Sequence, residues 1–151
     1  MTFEYISRNP QDTLNLGARL GACLQGGEII LLRGDLGAGK TLLTKGIASG
    51  LQGEDPVVSP SFPLMNIYKA RLDIVHVDLY RLDSDEIWGL GLEDFMDKEH
   101  VIVVEWADVA RSYFKGPIID VRIEYLNEHT RKISLEGPVP GEKLNSTKTR
   151  F

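Results

Sequence analysis

Apolar positions along the chain switch repeatedly between a helical period and strand-like runs. Thr2 to Ile6 alternates as a short strand does. Pro10 with Asp12 or Thr13 then marks a helix start, and Leu16, Leu20, Cys23 and Leu24 fall on one helical face before Gly26-Gly27 ends it. Cys23 lies in that stripe, so it is expected to be a buried small apolar residue rather than a nucleophile. Glu28 to Arg33 (EIILLR) is an unbroken apolar run, the signature of a strand buried on both faces in a parallel sheet. A glycine-rich turn follows, then a helix with Leu43, Ile47 and Leu51 at i, i+4 and i+8.

The prolines of EDPVVSPSFP, after Gly53, exclude a helix there. Leu64–Lys69 and Leu72–Val77, parted only by Ala70-Arg71, predict a hairpin. Ser84 to Met96 reads as short helical turns broken by Gly89 and Gly91, and Val101–Val104 as another buried strand. Asp108–Phe114 predicts a brief helix stopped by Gly116-Pro117, and Ile118–Tyr125 with Arg131–Glu136 a final hairpin. The closing segment has little to bury, so residues 1–137 are expected to form the domain and 138–151 a mobile tail. The fold class is α/β: a largely parallel central sheet with antiparallel additions and flanking helices.

Composition narrows the setting. The 151 residues, 42% hydrophobic, suit one domain with one core. Seventeen Lys and Arg against 22 Asp and Glu give a net charge of −5 and a pI of 5.2, which excludes broad nonspecific nucleic-acid binding and leaves a local basic patch open. Cys23 is the single cysteine, and no Cys or His pair has metal-ligand spacing. The opening MTFEYISRNP lacks the basic and apolar regions of a signal peptide, and no apolar run approaches the ~18–20 residues of a membrane helix. A reducing, cytoplasmic location is expected, without membrane contact.

The strongest chemical signal is Gly34-Asp35-Leu36-Gly37-Ala38-Gly39-Lys40-Thr41, which fits G-x-x-x-x-G-K-[ST] at every fixed position. Gly37 and Gly39 let backbone approach phosphate oxygens where a Cβ would intrude. Amides from Gly37 to Thr41, Ala38 included, can form a nest at a helix N-terminus. Lys40 adds a mobile positive charge for the β- and γ-phosphates, and the Thr41 hydroxyl can ligate Mg²⁺. An apolar strand before and an amphipathic helix after supply the context the motif requires.

Such a loop needs an acidic partner at a neighbouring strand end. Glu105 closes VIVVE and Asp78 closes IVHVD, and spacing alone does not decide which touches the metal. His76, two residues before Asp78 on the same strand face, reads as a structural residue rather than a base. Arg81, after Tyr80, fits a phosphate-facing cation, a partner contact or a plain surface arginine. Trp106 fits purine stacking and core closure equally.

In order and interval, GDLGAGKT (34–41), VVSPSF (57–62), HVDLYRL (76–82), LGLEDF (90–95) and VVEWAD (103–108) resemble the bacterial ATPase of tRNA threonylcarbamoyladenosine biosynthesis, the TsaE family. The resemblance spans Ile6 to Glu136. It implies a single-domain P-loop NTPase with ATP and Mg²⁺ at the Lys40 and Thr41 positions, the metal-associated acid at Glu105 and a second required aspartate at Asp78. It also implies that Trp106 belongs to the active-site region, with Asp108 and Asp12-Thr13 near the nucleotide. Ser59 and Ser61 fall in a switch-like S-P-T segment beside the γ-phosphate, and Ser61 keeps the hydroxyl of the family's threonine. The family usually has Thr-Thr after the P-loop lysine; Thr41-Leu42 loses a hydroxyl able to reach the α-phosphate, which predicts modestly weaker nucleotide binding. The implied partner is a two-subunit threonylcarbamoyl transferase (TsaB/TsaD-like) that modifies N6 of adenosine 37, with tRNA met only through that complex. ATP hydrolysis would reset the complex between turnovers.

Two other functions share the loop. An independent small-molecule kinase needs a lid and an acceptor pocket, for which 151 residues leave little room. A GTPase-type module needs a guanine-reading N-K-x-D tetrapeptide, which the sequence lacks, so ATP is favoured.

Overall fold

Seven strands form one sheet in the order β1-β7-β6-β2-β5-β4-β3 in the computed structural model, which describes residues 2–35, 38–58, 65–79, 86, 89–105, 111–139 and 141–144. The strands are β1 (Thr2–Ser7), β2 (Ile29–Gly34), β3 (Met65–Tyr68), β4 (Asp73–Asp78), β5 (His100–Glu105), β6 (Ile118–Tyr125) and β7 (Arg131–Glu136). The helices are α1 (Pro10–Cys23), α2 (Lys40–Gly50) and a single turn, α3 (Gly141–Leu144).

The parallel core β6-β2-β5-β4 centres on two continuous apolar runs, those of β2 and β5. Ile29–Leu32 and Val101–Val104 are all buried because both faces of those strands are covered. Antiparallel β1-β7-β6 and β3-β4 extend the sheet at its two edges. On one face Ile30, Leu32, Ile74 and Val103 share a core with Leu16, Leu20, Leu43 and Ile47 of α1 and α2. On the other, Ile29, Leu31, Val75 and Val104 meet Leu92, Tyr113 and Phe114.

Asn9 caps α1, its side-chain oxygen accepting the Asp12 amide at 2.8 Å, and Pro10 stands where a missing N–H costs nothing. The two helices approach through glycines. A Cβ on Gly46 would lie 2.4 Å from the Leu14 carbonyl oxygen, and one on Gly17 2.5 Å from that of Leu43. Residues 17, 21, 46 and 50 thereby form a glycine seam with backbone against backbone.

The structure corrects the reading of Cys23, which is half-buried at the end of α1; Leu24, just past the helix, fills the core instead. Of the turns expected over Ser84–Met96, the described part holds a 3-10 turn at Leu92–Phe95, and of the brief helix expected over Asp108–Phe114 the described part, from Arg111 on, holds a 3-10 turn at Arg111–Tyr113. Their positions follow from burial of Leu92 and Tyr113 rather than from local periodicity. Little was expected to be buried after residue 137, yet Val139 and Leu144 are buried in the core, and Leu144 accepts a hydrogen bond from Arg19 at 3.1 Å. Among the described residues no helix is long and apolar enough to cross a membrane.

Candidate nucleotide site

The parallel core carries the turn after β2 and the ends of β4 and β5 to the same edge of the sheet. Asp78 pairs with Glu105 in register, and Leu32, two residues before the loop, pairs with Glu105 on its other side. Strand alternation turns His76, Asp78 and Glu105 toward the face that carries α2, because Val75, Val77 and Val104 belong to the opposite core.

The Gly34–Thr41 turn delivers α2 at this edge. Its start is closed by the Ala38 amide donating to the Asp35 carbonyl at 3.0 Å. Gly39, the residue before α2, has φ +115°, a left-handed conformation that admits glycine and strains other residues. That geometry aims the first amides of an 11-residue helix outward, where an anion is favoured.

Lys40 is buried, and its Nζ donates to the Gly34 carbonyl at 2.9 Å, folding the side chain back over its own loop. Burial lowers its pKa, while the charges of Glu105, Asp78 and Asp35 pull it back up, in that order. Among the described residues the ammonium thus stands in the field of three carboxylates, whose charge a bound cation would offset. Glu105 is buried, and its Oε2 lies 3.1 Å from His76 Nε2; Asp78 and Thr41 are half-buried. Among the described residues no cluster of three or more His, Cys, Asp or Glu can hold a metal. A hydroxyl, a carboxylate and phosphate oxygens together would suit Mg²⁺, a hard cation usually held by few protein ligands.

A cavity of about 180 Å³ adjoins the loop, lined by Asn9, Thr13, Gly39, Leu42, His129 and Arg131 among others. Thr13 and Leu42 thus meet beside Ala38 and Gly39, though the Thr13 hydroxyl is already bonded to Ser7 at 2.7 Å. The Asp12 carboxylate accepts the Arg8 amide at 2.9 Å and serves the α1 terminus. A groove of about 380 Å³ passes Arg33, Arg122 and Tyr125, but Lys40 does not line it. Gly37, Ser59, Ser61, Tyr80, Arg81, Trp106 and Asp108 lie outside the described residues.

Sequence reasoning missed Arg131. Its Nε donates to the Ala38 carbonyl at 3.2 Å, its Nη1 to the Asn127 carbonyl at 2.8 Å, and its guanidinium stacks 4.4 Å from the Tyr125 ring centre. It ties the β6–β7 hairpin to the glycine-rich loop. No local signal marks it, because the contact joins positions 93 residues apart.

Fold and loop together define a P-loop α/β domain, in which a strand, a glycine turn and a helix N-terminus stand beside two acidic strand ends. Residues 7–133 match the family "Threonylcarbamoyl adenosine biosynthesis protein TsaE", and the chain belongs to that family. It is 40% identical over 144 residues to the tRNA threonylcarbamoyladenosine biosynthesis protein TsaE of a Nostoc species, covering 89% of this chain and 88% of that protein. The Treponema pallidum protein of the same name is 33% identical over 131 residues, covering 86% and 97%. The crystal structure of Bacillus subtilis YdiB superposes with a TM-score of 0.77 at 27% identity, covering 95% of this chain and 91% of that one.

Proposed function

We propose that this chain is a Mg²⁺-dependent ATPase of tRNA N6-threonylcarbamoyladenosine biosynthesis, and that its hydrolysis resets a two-subunit threonylcarbamoyl transferase between turnovers. One observation carries the reading: Lys40, at the start of α2, is held within the field of Glu105 and Asp78, the ends of two adjacent parallel strands. Family membership supplies the pathway, and the relatives' names point the same way.

The α2 amides receive phosphate oxygens. Lys40 leaves the Gly34 carbonyl for the β- and γ-phosphates, exchanging a neutral acceptor for a charged one. Thr41 and Glu105, with Asp78 as the alternative carboxylate, would hold Mg²⁺, which when bound neutralises phosphate charge. The remaining carboxylate orients the attacking water. Water's oxygen bonds to the γ-phosphorus as the bond to the β–γ bridging oxygen breaks; ADP leaves with that electron pair, and the water proton passes to phosphate or carboxylate. The cavity at Thr13, Leu42 and Arg131 accepts the nucleoside end.

Calorimetric titration of ATP with Mg²⁺ into wild-type and Lys40→Met protein tests this. Losing a charge-assisted hydrogen bond of roughly 1.5–3 kcal/mol should weaken binding about 10–100-fold in a folded variant. Unchanged affinity would overturn the assignment.

A further inference from the structure

His76 is fully buried on β4, between β3 and β5, where an aliphatic residue would pack without a polar atom to satisfy. Its Nε2 lies 3.1 Å from Glu105 Oε2, and its Nδ1 has no hydrogen-bond partner among the described residues. That asymmetry selects a tautomer. With the proton on Nε2 the ring donates to the carboxylate and leaves a bare acceptor at Nδ1. With the proton on Nδ1, a buried donor would stand unpaired while the Nε2 lone pair faced a carboxylate oxygen.

The ring's direction is fixed from two sides. The β4 backbone pairs with β3 and β5 at positions 76, placing His76 opposite Asn66 and Val103. Tyr68 packs against the imidazole, ring centres 6.2 Å apart, and its hydroxyl is bonded to both the amide and the carbonyl of Val58. The imidazole is a rigid donor aimed at one oxygen of Glu105.

We propose that His76 is a positioning residue: its Nε2–H pins Glu105 Oε2 so that Oε1 is presented to the cation of the nucleotide site. This rests on the reading of Glu105 as a carboxylate that serves Mg²⁺. Glutamate has three side-chain torsions, and a carboxylate held by one fixed donor meets the metal without first ordering itself. Partners of this kind, one bond behind a ligand, typically contribute 10–100-fold to metal affinity.

The test is Mn²⁺ binding by electron paramagnetic resonance, with a non-hydrolysable ATP analogue bound, in wild-type, His76→Leu and His76→Gln proteins. Glutamine carries an amide donor near the Nε2 position; leucine fills similar space without one. His76→Leu should bind Mn²⁺ about 10–100-fold more weakly, with His76→Gln recovering most of the loss, while analogue affinity in a chelator stays the same in all three. If His76→Leu does not fold, His76→Asn replaces it, since its shorter amide falls short of Oε2. Wild-type Mn²⁺ affinity in the donor-less variant overturns the proposal, as does a nitrogen NMR spectrum of the metal-free protein showing the Nδ1–H tautomer. Failure of the wild-type protein to bind Mn²⁺ with the analogue overturns the reading of the site itself, a different and distinguishable result.

Discussion

The charge on Lys40 is set by opposed effects. Burial favours its neutral amine, and the Glu105, Asp78 and Asp35 charges favour the ammonium. Under the proposed function, Glu105 and Asp78 would divide the labour that phosphoryl transfer requires, and substitution separates them. Glu105→Ala should raise the Mg²⁺ concentration needed for half-maximal ATP turnover, whereas Asp78→Asn should retain nucleotide binding and lose hydrolysis. Titrating Mg²⁺ against each variant distinguishes the roles. An unchanged Mg²⁺ requirement in Glu105→Ala would transfer the metal to Asp78. Lys40 was legible from the G-x-x-x-x-G-K-[ST] spacing, and Asp78 and Glu105 because each closes an apolar run, all purely local patterns. Arg131 was not, because its bond to Ala38 depends on β7 reaching the loop through long-range pairing.

Elements succeed or fail by how they meet. The α1–α2 seam leaves no room for a methyl at residue 46, where a Cβ would lie 2.4 Å from one backbone atom and 2.9 Å from another. Neither neighbour can rotate away, so Gly46→Ala should lower unfolding stability by ~1–3 kcal/mol, the usual cost of overpacking, despite alanine's better helix propensity. Urea denaturation checks this, and a gain in stability would mean the helices stand farther apart. On the opposite face Tyr113 bridges the two 3-10 turns through a hydrogen bond to Glu93. Burial first, then that bond and the Glu93 charge, push its pKa up from 10.0 to about 12. The folded state therefore keeps a proton that the unfolded chain gives up. The stability this contributes is complete below pH 10.0 and lost as pH rises to about 12. Tyr113→Phe should flatten stability against pH across that window, and an equal slope in both proteins would place the ionisation elsewhere. The β6–β7 hairpin was readable to its boundaries because its strands alternate with one face buried, whereas the 3-10 turns near Leu92 and Tyr113 owe their form to distant packing. The four-residue spacing of Gly17 with Gly21 and of Gly46 with Gly50 was visible in the sequence. Which surface those glycines faced was not, until the helices paired.

At the scale of the molecule, the turn after β2 and the ends of β4 and β5 meet at one edge of the sheet. Phosphoryl transfer gains from excluded water and fixed charge around the γ-phosphate, and a group supplied by another protein can contribute on the order of 10³–10⁵ in rate. The isolated chain is expected to hydrolyse ATP slowly, and the transferase to complete the site. Coupling of this kind is reciprocal: if ATP tightens association with the transferase, the transferase tightens ATP binding by the same factor. Partner affinity measured with ADP and with a non-hydrolysable ATP analogue reads that factor, and equal affinities would rule the coupling out. The measurement that bears most directly on the proposed function is phosphate release from Mg²⁺ and ATP by the wild-type chain, alone and with an active two-subunit threonylcarbamoyl transferase. The expected result is slow release alone, strong stimulation by the transferase, and neither with folded Lys40→Met; release that ignores both the transferase and Lys40 would contradict it.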